Sequence, residues 1–183
     1  RMMAVRIVAS IIMLVNLWIL AMPAQAASAV EIDQRVTSTL NFFTQSTYAG
    51  KKLIEQASGV LVFPQIYQAG VGVGGGYGEG ALLEGKQTSG YYNIAFASIG
   101  FQLGAQVKSQ IVLFMTPQVL AQFKASQGWE VGVDGSITLV TIGAAGSIDT
   151  STIQDPILGF VFSNKGLMYN LSLEGSKITR IHR

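Results

Sequence analysis

Every even-numbered residue from position 70 to position 80 is glycine, and this spacing constrains the fold more than any other feature of the sequence. Side chains of a β-strand alternate between two faces. As a strand, the segment has one face of bare backbone, and glycine there costs roughly 0.5–1 kcal/mol per residue relative to alanine. We therefore expect a helix, a second sheet or a flat ligand to lie closer to this face than a methyl group allows. The glycine-lined face consists of Gly70, Gly72, Gly74, Gly76, Gly78 and Gly80.

The same segment matches the dinucleotide fingerprint G-x-G-x-x-G at Gly70, Gly72 and Gly75. That fingerprint binds a pyrophosphate only in a turn that follows a strand and opens a helix. Here the glycines continue to Gly80 and no helix start follows them. We therefore interpret the segment as a strand.

The first 26 residues have the pattern of a secretory signal peptide. Arg1 and Arg6 precede a short apolar run, and the small-residue site Ala24–Ala26 follows it. We expect cleavage after Ala26 and a single domain at residues 27–183, with a retained membrane anchor as the alternative. This expectation makes the protein exported, either periplasmic or secreted, with peripheral membrane association as a further possibility.

Charge and cysteine content exclude several classes of protein. There is no cysteine, so the chain has no disulfide. Of the 12 basic side chains, Arg1 and Arg6 lie in the expected signal peptide, which leaves as many acidic as basic groups in the rest. A formally neutral domain lacks the basic field that nucleic-acid binding requires, so we expect no nucleic-acid partner.

Residues 30–57 show helical periodicity, because Val36, Leu40 and Phe43 fall on one helix face. A break is expected at Ala49 and Gly50. This helix could pack on a sheet or lie on a membrane. The mixture of acidic and basic groups on its polar face favours packing on a sheet, since interfacial helices are usually rich in lysine and arginine.

The pattern after Gly59 is typical of strands. A short buried strand, ended by Pro64, precedes the glycine-faced strand and a turn near Glu84 to Lys86. An alternating strand follows from Tyr91 to about Lys108. Thr116 and the proline after it are expected to open a short helix. Further strands are expected at 111–115, 129–133, 136–142, 159–162, 167–173 and 176–181.

These elements predict a single α+β domain. Its N-terminal helix packs on a curved, mainly antiparallel, glycine-rich β-sheet, and one further short helix lies within the series of strands.

The residues that catalysis requires are scarce, and we expect neither an enzyme nor a cofactor. The one histidine is His182, close to the end of the sequence, so no nucleophile has an obvious base. With one histidine and no cysteine, a structural zinc site is not expected. Glu130 and Asp134 share a face of an expected strand and could form a paired-acid site, but a solvated strand face explains them equally well.

Five segments remain, and in this order they resemble the SYLF family, also called DUF500 or the yeast-type actin-binding domain. The resemblance implies a lipid-binding module, whose eukaryotic members bind phosphoinositides and in some cases actin. The chain is similar to an exported bacterial member, and actin is not expected as a partner in that setting. The segments are Gly59–Pro64, Ala69–Gly80, Gly100–Gln106, Gly128–Gly132 and Ser172–Ser176.

The resemblance assigns no lipid-contacting residue, so the candidates come from charge placement alone. They are Lys51 and Lys52 at the expected helix break, Lys108 at a strand end, and Lys177 with Arg180 in the final strand. Each could equally be an ordinary solvated side chain.

The function expected from the sequence is a non-catalytic envelope module that binds a lipid or a membrane surface. The alternative is a structural or protein-interaction domain of the envelope without a lipid ligand. Membrane association is expected to persist in salt and to depend little on the headgroup, because the domain is formally neutral.

Overall fold

Two long antiparallel strands form the centre of the fold. The computed structural model describes residues 26–140, 154–163, 166–167, 173 and 175–183. Strand β1, Gly59–Glu84, pairs with strand β2, Gln87–Phe114, along almost its whole length. Gly85 lies in the turn that joins them and adopts φ +66°, a conformation that favours glycine. The predicted turn is therefore confirmed, and we call the two strands the long hairpin.

Each of these strands was predicted as two, and that prediction was wrong. Pro64 was expected to end a strand, but it lies inside β1, at a shift in the pairing register between Phe63 and Ile66. Proline has no N–H for a ladder hydrogen bond, and a bulge is one of the positions in a sheet where none is needed. The hydroxyl of Ser109 donates to the carbonyl oxygen of Pro64 at 2.7 Å. The proline therefore marks an irregularity within the strand.

The glycine face of β1 is covered by the strand itself. A Cβ atom at Gly78 would lie 2.7 Å from the carbonyl oxygen of Gln65, and one at Gly80 would collide with the carbonyl oxygen of Val62. Residues 62 and 80 are adjacent only if β1 folds back on itself. The two halves of β1 consequently pack face to face at a separation that only glycine allows.

The fold-back centres on Gly72. The pairing register shifts between Gly70 and Gly72, and a Cβ atom at Gly74 would lie 2.8 Å from Cα of Gly70. At Gly76 the ring of Phe96, from the paired strand, occupies the space of a side chain, with Cε1 2.6 Å from the Cβ position. Strand backbone and the side chains of Phe63, Ile66 and Phe96 therefore fill the glycine face, which rules out the helix and the flat ligand considered from the sequence.

The bend divides β2 between two partners. Its first half pairs with β7, Lys177–Ile181, and its second half pairs with β5, Ile157–Ser163, both antiparallel. Three two-residue strands complete the seven-stranded sheet: β3, Trp129–Glu130, beside β7; β4, Thr138–Leu139, parallel to β5; and β6, Gly166–Leu167, antiparallel to β5. The sheet is curved and mainly antiparallel, as predicted. Parts of the strands expected at 136–142 and 167–173 lie outside the described residues.

The N-terminal region forms two helices that share one capping residue. Helix α1, Ala29–Ser46, ends at Thr47, and helix α2, Tyr48–Gln56, begins there. The Thr47 hydroxyl oxygen accepts a hydrogen bond from the backbone N–H of Gly50 at 3.1 Å. The break therefore lies at Thr47 rather than at the predicted Ala49 and Gly50, because a threonine side chain satisfies the free N–H groups of a helix start. Helix α3, Pro117–Ala125, begins after Thr116 as predicted.

The long hairpin separates two apolar cores. The inner core lies between its folded halves and contains Phe63, Leu82 and Ile94. The outer core lies between the sheet and helix α1, where Val36 and Phe43 are buried and Leu40 is partly buried. The prediction of a helix packed on the sheet is confirmed. The membrane-binding alternative for this helix face is wrong, because the sheet already covers it.

We expect Gly80→Ala to destabilise the fold by about 1–3 kcal/mol, because its methyl group meets strand backbone that cannot rotate away. Gly90→Ala is the matched control in the same hairpin. Its Cβ atom would lie 3.2 Å from Cε2 of Tyr92 and 3.5 Å from Nη2 of Arg180, both side-chain atoms. This control should change the unfolding free energy by less than about 0.5 kcal/mol. Urea denaturation compares the two variants, and equal midpoints would contradict the close packing of β1 on itself.

Candidate functional site

The bend of the long hairpin carries an exposed apolar surface. Its outward positions hold two tyrosines, two valines and four alanines, and none of these residues is charged. Val73 is 72% exposed, although valine is normally a core residue. Register places Tyr67 opposite Val107, and Tyr77 opposite Ala95. We call this surface the apolar tip; it consists of Tyr67, Ala69, Val73, Tyr77, Ala95, Ala97, Ala105 and Val107.

Two inward positions of β2 near this surface are polar. Lys108 and Gln110 are buried, whereas the inward residues Ile94 and Phe96 on the other half of β2 belong to or pack against the inner apolar core. Gln110 is 1% exposed, and neither atom of its side-chain amide has a hydrogen-bond partner. A water-exposed sheet normally presents apolar residues to the core and polar residues to solvent. Lys108 and Gln110 depart from this distribution.

A groove of about 800 Å³ borders the apolar tip. It lies where the start of helix α1 faces the crease between the two halves of β1. Tyr67 and Tyr77 belong to both the tip and the groove. The residues lining the groove are Ala26, Ala27, Ser28, Glu31, Ile32, Arg35, Pro64, Gln65, Tyr67, Tyr77, Gly78, Glu79 and Arg183.

Glu79 is the most constrained charged group of the groove. Its Oε1 accepts a hydrogen bond from the Tyr77 hydroxyl at 3.0 Å and forms an ion pair with Arg183. Its Oε2 is buried and has no hydrogen-bond partner. Partial burial and the hydrogen bond to Glu79 both raise the pKa of Tyr77, so this phenol stays protonated and keeps donating.

The opposite wall of the groove carries a second carboxylate, on Glu31, and a second guanidinium group, on Arg35. Glu31 completes a capping box with Ser28, whose backbone N–H donates to Glu31 Oε2 at 2.9 Å. Hydrogen bonds from Ser28, with a smaller contribution from Arg35, lower the pKa of Glu31, which is therefore ionised at neutral pH. Both signs of charge thus line the groove.

The basic residues selected from the sequence do not form one patch. Lys51 lies 4.0 Å from Glu55, and the Lys52 ammonium lies 4.9 Å from the ring centre of Tyr48, both on α2. Lys177 and Arg180 are three residues apart in β7 and therefore point to opposite faces of that strand. Arg180 donates weakly to the carbonyl oxygen of Ser89 at 3.5 Å.

The expectation for Lys108 was wrong. It was placed at a strand end, but it lies within β2 and is only 8% exposed. Its ammonium lies 4.7 Å from the ring centre of Phe96, and it has no ion pair among the described residues. Burial lowers the pKa of Lys108 because the charged form loses hydration. Since Lys108 faces inward, it cannot contact a membrane surface directly.

The described residues do not support the paired-acid site or the dinucleotide site that the sequence raised. Glu130 and Asp134 do not share a strand face, because the chain turns after β3 and Asp134 Oδ2 accepts the backbone N–H of Glu130 at 2.6 Å. The glycines of the dinucleotide fingerprint lie within a continuous strand. No group of three or more potential metal ligands occurs in the described part of the chain. None of its helices has the length and apolar character needed to cross a membrane.

The groove itself was not predicted. The alternation at residues 70–80 puts Tyr77 and Glu79 on the face opposite the glycines, and this was the available signal. The sequence did not predict that Tyr67 lines the same groove as Tyr77 and Glu79, because that requires the fold-back of β1. Arg35 and Arg183 are also far apart in the sequence and meet the same groove only in the folded chain.

We expect Lys108→Met to stabilise the protein by roughly 1 kcal/mol at neutral pH, because it removes a charge that is buried without a carboxylate. The lowered folded-state pKa adds a pH signature. Between that pKa and the usual 10.5, the unfolded chain binds more protons, so the stability of the wild type rises with pH. Urea denaturation of both proteins at several alkaline pH values measures the difference between their stabilities. This difference should shrink as the pH rises, and a difference that stays constant or widens would contradict the buried charge.

Comparison with known proteins agrees with the sequence motifs. The family model described as "Ysc84: Las17-binding protein actin regulator" matches residues 95–182, which run from β2 through α3 to β7. The match includes three of the five segments on which the resemblance rests. No curated protein matches the chain significantly. Residues 95–182 therefore match the Ysc84, or SYLF, family of binding domains, in agreement with the resemblance found from the sequence.

Proposed function

We propose that this protein is a non-catalytic lipid-binding module that associates peripherally with a membrane surface. The observation that carries the proposal is the apolar tip of the long hairpin. A contiguous exposed apolar patch marks a site for a protein or a membrane.

The composition of the tip suits the boundary between headgroups and acyl chains. Tyrosine has an apolar ring and a polar hydroxyl, and it is enriched at membrane interfaces. Val73 and Val107 are exposed on the same surface. Full burial of such side chains contributes about 1.5–3 kcal/mol each, so the half-exposed residues of the tip contribute about 1 kcal/mol apiece. Several together are sufficient for reversible association.

Electrostatic attraction contributes little in this proposal. The predicted lysine and arginine candidates lie on different elements, and Lys108 is buried. A basic group near an anionic membrane contributes only about 1 kcal/mol, and salt screens it over roughly 8–10 Å. Apolar burial does not weaken with added salt. The net charge of the headgroup should therefore matter little.

A protein-interaction domain is the second candidate. The name of the family model refers to binding Las17 and regulating actin, and a protein partner could also cover the apolar tip. We favour the lipid because the apolar tip combines two exposed tyrosines with exposed valines, and tyrosine is enriched at membrane interfaces.

Vesicle flotation tests the proposal. Wild-type protein should float with neutral and with anionic vesicles, and a few tenths molar salt should not abolish this. Val73→Glu should reduce the floated fraction about tenfold or more, because it places a charge in the apolar tip. Val133→Glu is the matched control, since Val133 is 74% exposed in the turn after β3.

Three outcomes of this assay would count against the proposal. Equal loss in both glutamate variants would place the binding surface elsewhere. Complete loss of flotation in salt would assign binding to the basic residues. A wild type that never floats would favour the protein-interaction domain.

We also propose that the module acts in a cell envelope after export. The support is the sequence pattern at residues 1–26, with two arginines, an apolar run and the site Ala24–Ala26. The intact mass of the protein recovered from its native envelope fraction should correspond to a chain that begins at Ala27. A mass that includes residues 1–26 would instead indicate a retained anchor.

A further inference from the structure

We infer that the groove beside the apolar tip binds an ammonium-bearing phosphodiester, the chemistry of a phosphoethanolamine headgroup. This inference rests on the proposed membrane association and specifies the ligand that the same region takes. The groove shares Tyr67 and Tyr77 with the apolar tip. When the tip enters the acyl region, the groove is therefore at the depth of the headgroups.

Glu79 provides the acceptor for the ammonium group. Its Oε1 is engaged by Tyr77 and Arg183, whereas its Oε2 has no partner. Because Glu79 lines the groove, this buried oxygen lies in the wall against which the ammonium group binds. A primary ammonium supplies the missing N–H donor. A trimethylammonium group, as in phosphocholine, has no N–H and leaves the oxygen unsatisfied.

The two tyrosines contribute to the same subsite. The Tyr67 hydroxyl donates to Gln65 Oε1 at 3.0 Å, and the Tyr77 hydroxyl donates to Glu79 Oε1 at the same distance. With their hydroxyls held by residues two positions away on β1, both side chains keep substantial exposure. Aromatic faces attract a cation, and this attraction strengthens when the cation is partly removed from water.

Arg35 provides the contact for the phosphodiester. It lies on α1 at the wall of the groove, and it makes no ion pair within 4 Å with any described residue. Guanidinium groups bind phosphate oxygens through two parallel N–H donors. The groove therefore places an acceptor with aromatic neighbours on one side and a phosphate donor on the other, which matches the zwitterion.

The test compares sn-glycero-3-phosphoethanolamine with sn-glycero-3-phosphocholine, which carry the headgroups without acyl chains. Binding is followed by the ring resonances of Tyr67 and Tyr77. We expect the ethanolamine compound to bind about tenfold more tightly, the effect of one charge-assisted hydrogen bond. Vesicles of phosphatidylcholine with and without phosphatidylethanolamine should show the same preference in flotation.

Two variants separate the roles of the charged residues. Glu79→Gln should remove the preference for ethanolamine over choline, whereas Glu55→Gln, on α2, should preserve it. Arg35→Gln should weaken the binding of both compounds several-fold and leave the ratio of their affinities unchanged. Lys51→Gln is its matched control. Arg35 is exposed, so this variant remains informative if Glu79→Gln fails to fold.

The outcomes distinguish this inference from the proposed function. Flotation without any preference for phosphatidylethanolamine would overturn the headgroup site and leave membrane association intact. Binding of the free ethanolamine compound without flotation would overturn membrane association and assign the groove to a soluble phosphodiester. Failure of both assays would overturn both proposals.

Discussion

The contact of strand β1 with its own backbone is the interaction on which the rest of this structure depends. Gly78 lies against Gln65 and Gly80 against Val62, at distances that exclude any Cβ atom. The six glycines contribute no side-chain packing of their own. This loss is offset because the folded halves of the strand enclose an apolar core. An alanine at one of these glycines therefore pushes the two halves of the strand apart, and its effect is not confined to the packing around one residue.

Several features follow from that fold-back. Because β2 remains paired with β1 through the bend, its two halves face different directions and take different partners, β7 and β5. The bend itself has no covering element among the described residues, so its outward face stays exposed as the apolar tip. The crease between the halves, closed on one side by the start of α1, becomes the groove.

These features separate the stabilising parts of the molecule from the parts available for binding. The apolar face of α1 packs on the sheet, where the ring of Phe43 stacks on Phe162 with centres 5.5 Å apart. Asp33 fixes the same helix to β2 through hydrogen bonds from Thr88 and Tyr91, at 3.0 and 2.9 Å. The apolar face of α1 therefore serves a structural role, and four of the eight exposed large apolar residues in the described part of the chain lie at the bend. A binding role in the SYLF family and a site at this bend are consistent with one another.

The sequence by itself determined the local structure, because its signals act over a few residues. The glycine alternation required a close neighbour, Gly85 required a turn, Thr116 with Pro117 started a helix, and five short segments indicated the family.

Only the tertiary structure decided what the close neighbour was and which residues form the groove. Residues 62 and 80 meet through the bend of β1, and residues 35 and 79 line one groove, although no sequence period relates either pair. The register shift at Pro64 also changes which face later residues of β1 occupy, so strand alternation could not be extended across it. Lys108, selected from the sequence as a surface residue, became an inward one because the folded hairpin brings it against Phe96. The tyrosines of the tip acquired their common surface only in the folded chain.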